Sequence, residues 1–491
     1  MDKQNQTIGY LPDERPSPVK LLLYALQQVI VMFPATVTVA LITGFHVSTT
    51  IFASGLATLC FILVTGRKIP LYYGSSFSYL SAIIGLMANQ RFLDTLSPET
   101  VEKLKVWQET GGLLPTEALQ YAQFGIVLSG IISIFAGLIV RFIGPRAVEK
   151  ILPASITGPI AMIIGLTLAG TALADAAPQP QAEGVATSIV NTGWVWAVSL
   201  ATLLATIFFS RYLKGIWGQL PLLLGAGVGC AIAGILYATG TGDMFQKLGD
   251  ASNAVFAVPA ITLPKVSWMA AAAIMPIALA TIPESTAHMF QLDIYVNDLA
   301  KKKNSKKKYA LADMLDRNLI GDGIGDMVAG FIGGPAGTNY GENISTMAIT
   351  KVFSVPVLIV AAIIAMLISF FTPLINAIYA IPKAVIGGLE IYLFGAIAAQ
   401  GVAIMIEKKV DMFSAKNIAV IATIMVIGLG GAYQFGGNIP FLGIEVPSIA
   451  GAAIFGIILN LLLSIGEKKR KPAVNIEAPV QTNNEATETN E

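Results

Sequence analysis

Long apolar runs alternate with short polar breaks along the whole chain. Uninterrupted runs fall near 21–43, 47–65, 121–140, 151–171, 193–210, 217–238, 354–372, 384–405, 415–431 and 447–465. Each is close to the roughly 20 residues that carry a helix across the hydrocarbon core of a bilayer. Four further segments are shorter or interrupted: 75–88 after LYYG, 267–282 ending at ATIPES, 318–332 with its GDGIGD, and 341–353. Taken together they predict an all-α membrane protein of fourteen transmembrane segments with both termini cytoplasmic. Charge placement tests that count, because cytoplasmic loops collect Lys and Arg. With the N-terminus inside, only Arg91, Lys103, Lys105, Lys247, Lys265 and Lys383 of the 31 Lys and Arg fall on or near the outer side.

Composition agrees: 54% of the 491 residues are hydrophobic and 12% charged, with a mean hydropathy of +0.69, far from the balance of soluble domains. The first twenty residues are polar and hold no short apolar core with a cleavage site, so no signal peptide is expected and the first run stays as a span. Cys60 and Cys230 lie in apolar runs as small hydrophobes, and neither a disulfide framework nor a thiolate metal site follows. A net charge of +1 makes no case for nucleic acid. KKKNSKKK at 301–308 is read as the lysine-rich loop that topology requires rather than a nucleic-acid or anionic-lipid patch. The organisation expected is a cytoplasmic tail (1–20), a first seven-segment repeat (21–245), a second repeat (265–466) and a disordered cytoplasmic tail (467–491).

Two interrupted segments match each other. PLYYGSSFSYL (70–80) and TNYGENISTM (338–347) both read Tyr-Gly, two polar residues, then an apolar one, and each opens a helix too short to span. They are the third and tenth of fourteen segments, so seven separate them, and an odd number of crossings per repeat inverts the second half relative to the first. Non-helical backbone at membrane depth is tolerated only where protein satisfies it or where it lines a cavity. The two extended approaches are therefore expected to pair as short antiparallel strands and hand over to half-helices whose free N–H groups point at a midplane site. Gly74 and Gly341 sit where the backbone must turn and approach a ligand.

Charged groups inside spans are expensive and usually face a cavity. Glu342 begins the second half-helix; Glu284 lies beside Pro283 in the eighth segment, with His288 four residues on and so on the same helical face. His46, the other histidine, reads as a solvated loop residue. Two carboxyls and one imidazole without a tight spacing motif are a weak metal signal, and no nucleophile or phosphate loop accompanies them, so neither a metal site nor an enzyme is expected. A proton relay combined with hydrogen bonding to a ligand is the favoured reading, with the proton as coupling ion and no other cofactor. Asp322 and Asp326, one turn apart, suit a helix start or an inter-helix hydrogen-bond network better than ligand contact. Glu390 in IGGLEIYLFG is open between a dimer contact and a polar pair at a helix interface.

These residues carry a family resemblance. YGENISTMAITK resembles the signature of the nucleobase-ascorbate transporters, the nucleobase:cation symporter-2 family, in the Glu-Asn form of uracil permeases rather than the Gln-Asn of many purine permeases. The likeness extends through LQQVIVMFPATV, YYGSSFSYL, IPESTAH, the stretch from DRNLIGDG to ITKVFS, and IPKAVIGGLEIYLFG. It implies seven plus seven inverted repeats, a core and a gate domain, dimerisation through the gate, and proton-coupled uptake of uracil across the cell membrane. Carried over by position, Glu284 and Glu342 bind the pyrimidine edge and His288 supports them. Backbone groups at Ala35, Phe77 and Gly341 meet the ring carbonyls, with Tyr340 beside the site and Gln28, Asp322, Asn343 and Ser345 supporting. Uracil is a flat neutral ring with two N–H donors and two carbonyls, which suits carboxylate acceptors and half-helix amides. Four positions depart from the family pattern: Gln28 for a histidine, Pro34 for a small residue, Asn339 for a threonine and Ser345 for a glycine. They bear on which base is accepted, and a xanthine or other purine permease is the nearest alternative. An anion transporter of the same architecture is more remote, since two carboxylates would repel an anion.

Overall fold

In a lipid-facing chain every backbone group must find a partner within the protein, so the apolar runs become helices. Several begin with proline in the first turn, as at Pro18, Pro98 and Pro221, where an amide would be unpaired in any case. The computed structural model describes residues 9–144, 151–177, 192–215, 217–246, 254–441 and 444–465. In chain order the elements are α1 (Pro18–Thr43), α2 (Val47–Val64), β1 (Tyr73–Ser75), α3 (Leu80–Ala88), α4 (Gln90–Leu93), α5 (Pro98–Thr110) and α6 (Thr116–Ile143). Next come α7 (Ala154–Thr167), α8 (Ala169–Ala176), α9 (Thr192–Tyr212), α10 (Pro221–Ala238), α11 (Trp268–Ile274), α12 (Ala278–Lys302) and α13 (Leu315–Ile332). The remainder are β2 (Gly337–Asn339), α14 (Gly341–Thr350), α15 (Val355–Ile368), α16 (Thr372–Tyr379), α17 (Lys383–Glu407), α18 (Ala415–Phe435), β3 (Asn438–Phe441), β4 (Ile444–Pro447) and α19 (Ser448–Leu463). Residues 1–8 of the N-terminal tail, Arg146, Lys150, Lys247 and the tail from 467 onward lie outside the described residues.

Among the described residues nine helical stretches are long and apolar enough to cross a membrane, and Phe77–Ala88, Val355–Ile368 and Ser448–Leu463 are shorter apolar helices. The protein is a multi-pass membrane protein. The segment expected to end at 282 instead continues, through a 3-10 turn at Met275–Ile277, to Lys302. Hydropathy falls early there because Glu284, Ser285, Thr286 and His288 turn toward other helices and a cavity rather than lipid. His46 is half-buried at the start of α2, not a solvated loop residue. The loop before α19 contains an antiparallel ladder, β3 on β4, that the sequence reading left as a break.

Helices meet where side chains vanish. A Cβ at Gly130 would strike the Gly323 carbonyl and one at Gly323 the Gly130 carbonyl, so α6 and α13 cross backbone to backbone. Gly158 and Gly401 make the same mutual contact between α7 and α17. Small residues at such crossings are how membrane helices gain close packing without a hydrophobic driving force. On the lysine-loop face, Tyr10 bridges to Val352, Glu14 meets Lys303 at 2.5 Å and Asp13 meets Lys307 at 2.7 Å. The N-terminal segment and the lysine loop thus share one side of the molecule.

Candidate functional site

The two Tyr-Gly segments meet. β1 and β2 pair antiparallel with Tyr73 opposite Asn339, Gly74 opposite Thr338 and Ser75 opposite Gly337. Two further backbone bonds extend the ladder, Ser76 N–H to Ala336 O at 2.9 Å and Tyr340 N–H to Tyr72 O at 3.0 Å. Helix α2 satisfies the outer edge: Ser54 and Thr58 hydroxyls donate to the Tyr73 carbonyl at 2.9 and 3.0 Å, and Thr58 Oγ1 accepts the Tyr73 N–H at 3.0 Å. This accounts for hydroxyls inside an otherwise apolar span, and for non-helical backbone buried in the middle of the protein.

The glycines have a specific cause. A Cβ on Gly74 would run into the Tyr340 ring, and one on Gly337 into the Tyr73 ring. Each tyrosine of one Tyr-Gly segment therefore lies over a glycine of the opposite strand. Gly74 admits a ring rather than a ligand, which corrects its expected role. Gly341 borders the cavity, where a Cβ would stand 3.0 Å from His288 Nε2.

Beyond the strands, the 3-10 turn Phe77–Tyr79 leads into α3, and α14 starts at Gly341 with no side-chain cap. Their first-turn residues Phe77, Ser78, Gly341 and Glu342 border a cavity of about 940 Å3. Ala35, Phe77, Glu284, His288, Tyr340, Gly341, Glu342 and Ser345 all line it. Glu284 accepts from Ser78 Oγ at 3.4 Å, and Glu284 and Glu342 are close enough to act on each other electrostatically. His288 is buried and hydrogen-bonded to the Asn339 backbone, while its Nδ1 has no partner among the described residues. An imidazole that donates from Nε2 to a carbonyl presents Nδ1 as an acceptor, so it can take a proton in place.

Other expected residues stand behind the wall. Gln28 and Asn343 are buried and bonded to each other, with Asn343 Nδ2 donating to Gln28 Oε1 at 2.7 Å and to its carbonyl at 3.0 Å. The Tyr340 hydroxyl donates to Ser75 O at 3.0 Å and is 2.9 Å from Thr36 Oγ1, so only its ring is free to meet a ligand. Asp322 accepts from Ser285 Oγ and from Asn339 Nδ2 at 3.3 Å, and Ser285 Oγ accepts from Asn318 at 2.7 Å and from Asn339 at 2.9 Å. Asp326 Oδ1 accepts from Tyr73 Oη at 2.5 Å and Gly337 N at 2.7 Å. Both aspartates lie in the middle of α13, not at a helix start, and bind the crossing strands to that helix. Glu390 is 0% exposed and neither of its carboxyl oxygens has a hydrogen-bond partner among the described residues. Its burial places it inside the chain, with no hydrogen-bonded pair among the described residues.

The sequence reading missed Ser78, Thr338, Gln291, Tyr392 and Gln400 in the lining. The last two, on α17, bring a second body to the cavity. An isolated Tyr or Gln in an apolar helix was the available signal.

At one end the cavity reaches Lys408, Lys409, Asp411 and Asn417. Phe77 and Leu393, also in the lining, belong to an apolar cluster in which Val39, Ile42 and Leu80 meet Leu168, Ala172 and Phe394, with the Phe77 and Phe394 rings edge to face at 6.5 Å.

Comparison with known proteins agrees in sequence and in shape. The Permease family profile for xanthine and uracil permeases matches residues 19–437. A uracil permease of Bacillus subtilis is 34% identical over 94% of this chain and 96% of its own, and a uracil permease of Escherichia coli K12 is 31% identical over 95% and 96%. Among solved structures, SLC26A9 superposes with a TM-score of 0.60 at 14% identity, covering 91% of this chain and 65% of that one. The transmembrane domain of the cyanobacterial bicarbonate transporter BicA gives 0.54 at 14% identity over 91% and 97%; these likenesses show the fold alone. The chain is a permease, a transporter rather than an enzyme, and it belongs to the xanthine and uracil permease family of nucleobase:cation symporter-2 proteins.

Proposed function

We propose that this permease imports uracil together with a proton across the cell membrane by alternating access. The observation that carries the reading is the cavity wall where Glu284, His288 and Glu342 stand beside the amide ends of two half-helices. Carboxylates accept from the two ring N–H groups, and the amides at Phe77 and Gly341 donate to the ring carbonyls. Ala35 and the Tyr340 ring bound the flat faces, and Ser345 sets the width beside Glu342. Binding of base and proton together neutralises the wall and permits the movement. The carboxyls and His288 titrate as a coupled group.

The chain is read as fourteen crossings in two inverted repeats, 21–245 and 265–466. A core of α1–α6 with α11–α15 holds the broken helices, and a gate of α7–α10 with α17–α19 faces it. The homodimer expected of the family forms through that gate. The loop at Lys408 and Lys409 is cytoplasmic by the charge rule, as are both termini. The cavity is then open inward, and the apolar contact of Phe77 with Phe394 is the closed outer seal. The fold neighbours include anion transporters, yet a wall with two carboxylates opposes an anion.

Uptake of labelled uracil into proteoliposomes under an inward proton gradient tests this. Uptake that collapses with a protonophore and ignores excess xanthine is the expected result. Competition by xanthine would move the protein to the purine branch, and flux indifferent to the proton gradient would remove the symport reading.

A further inference from the structure

Glu390 takes no part in the cavity. It lies on α17 in the gate, and the elements around it are crowded: Gly387 on the same helix abuts the Ala176 backbone of α8, and Gly388 abuts Ser199 of α9. The hydroxyls nearest on α9 are already engaged, Ser199 with Trp196 O at 3.2 Å and Thr202 with Val198 O at 2.8 Å. The charged groups that face Glu390 are Asp175 from α8 and Lys383 from its own helix. These two form an ion pair at 3.3 Å whose side chains are 15% and 25% exposed. From the core, the neighbouring residues of the seal are apolar: Val39, Ile42, Phe77 and Leu80.

A carboxylate sealed from water with neither oxygen hydrogen-bonded carries a cost of several kcal/mol or more. Lys383 is committed to Asp175, and among the described residues no second cation faces the carboxyl. The neutral acid has no such cost. Position adds consequence. Glu390 is one turn from Leu393 and Phe394, and Asp175 is one turn from Ala172, all residues of the outer seal. Lys383 begins α17 on the side assigned as external, about 10 Å along the axis from Glu390. In the alternating-access reading, withdrawal of the core uncovers Leu168, Ala172, Leu393 and Phe394 and would admit water to the carboxyl behind them.

We propose that Glu390 is a second proton-binding site, separate from the Glu284, His288 and Glu342 group, loaded from outside past the Asp175–Lys383 pair, and that the outer seal shuts only when it is loaded. The step is a proton passing from external water to a Glu390 carboxylate oxygen, while Asp175 and Lys383 stay ionised. A sodium ion is a poor fit, because the site offers one carboxyl in apolar surroundings beside an ammonium. The proposal rests on the alternating-access reading above.

The test is exchange of external labelled uracil for internal unlabelled uracil in proteoliposomes at equal pH on both sides, which needs no driving force. In the wild type, exchange falls as pH rises, because ionised Glu390 holds the seal open. Glu390→Gln, neutral at every pH, is expected to move the fall to higher pH, leaving only the part set by the Glu284, His288 and Glu342 group. Removing Asp175 takes away a repelling charge and frees Lys383, so Asp175→Asn moves the midpoint to lower pH. Lys383→Met moves it to higher pH. Each shift is about one pH unit, the scale of a charge about 10 Å away through poorly solvated protein. These two shifts of opposite sign are independent of whether Glu390→Gln folds. A wild-type profile in Glu390→Gln, shifts of the same sign in the two neighbours, or exchange that follows sodium instead of pH would each overturn the proposal. If gradient-driven uptake ignores a protonophore while these shifts persist, the symport reading fails and the Glu390 site stands.

Discussion

The interlock of tyrosine and glycine across the strands makes a sharp prediction. Alanine at Gly74 places a methyl group inside the Tyr340 ring, and that ring cannot swing away freely. Tyr340 is 3% exposed and its hydroxyl is tied to Ser75 O at 3.0 Å and to Thr36 at 2.9 Å. Displacing it costs about 0.5–1.5 kcal/mol for each of two bonds, and overpacking adds about 1–3 kcal/mol. Gly74→Ala is therefore expected to destabilise by about 2–6 kcal/mol and to depress uptake, because Tyr340 also borders the cavity. The informative assay is a double-mutant cycle read from thermal unfolding in detergent. Tyr340→Ala already forfeits both bonds and opens space for the methyl, so adding Gly74→Ala to it lowers the transition little further. An equal drop in both backgrounds would refute the steric account.

Three other outcomes follow from named contacts. Glu342→Gln lowers proton-driven uracil uptake about tenfold or more, in line with the roughly 1.5–3 kcal/mol of a hydrogen bond to a charged group; full uptake in proteoliposomes would end its proposed role. Ser345→Gly enlarges the wall beside Glu342, so xanthine competes more effectively for uracil uptake, and unchanged competition would show that Ser345 does not set base size. Asp13 lies outside the spans: burial pushes its carboxyl upward, but hydrogen bonds from Lys307 and from Tyr309, at 2.7 and 2.5 Å, outweigh this and hold it below the usual range. Its folded value being the lower, the tie is fully present above the unfolded value near 3.9 and is lost as pH falls through the folded one. Asp13→Asn should remove that step from the acid unfolding profile, with neutral uptake retained.

What the sequence disclosed depended on repetition. The broken helices were legible because Tyr73-Gly74 and Tyr340-Gly341 occur twice at matching places, and one copy alone would pass for a kinked span. Glu284, His288 and Glu342 were legible because lipid makes a charge inside a span conspicuous. The reason for Gly74 was not legible, since it lies in a ring some 266 residues away in sequence that only the strand register brings overhead. Asp322 and Asp326 stood out as acids, yet their partners Ser285, Asn339, Tyr73 and Gly337 come from three other elements. Tyr392 and Gln400 gave only a faint signal, because each is an isolated polar residue in a mostly apolar helix.

The distribution of bond types bears on which parts can move. Around the crossing strands, many buried groups are bonded across elements: Asp326 to Tyr73 and Gly337, Asn339 to Ser285, Tyr340 to Ser75, Thr58 to Tyr73. Separating α13, α2 and the strands would strip partners from buried groups, at about 1–3 kcal/mol for each one left unsatisfied. The proposed core is expected to travel as one piece with its site intact. The seal is made differently. Phe77, Val39, Ile42 and Leu80 meet Leu168, Ala172, Leu393 and Phe394 as an apolar cluster, with no side-chain hydrogen bond between the two sets among the described residues. Polar ties between α3–α4 and the β3–β4 ladder are few: Asn89 to Glu445, a largely exposed Arg91 to Glu445 at 3.5 Å, and Asn438 to the Gly85 carbonyl at 3.3 Å. In the proposed alternating access, the expected line of separation therefore runs between core and gate, and it passes one turn from the buried carboxyl of Glu390.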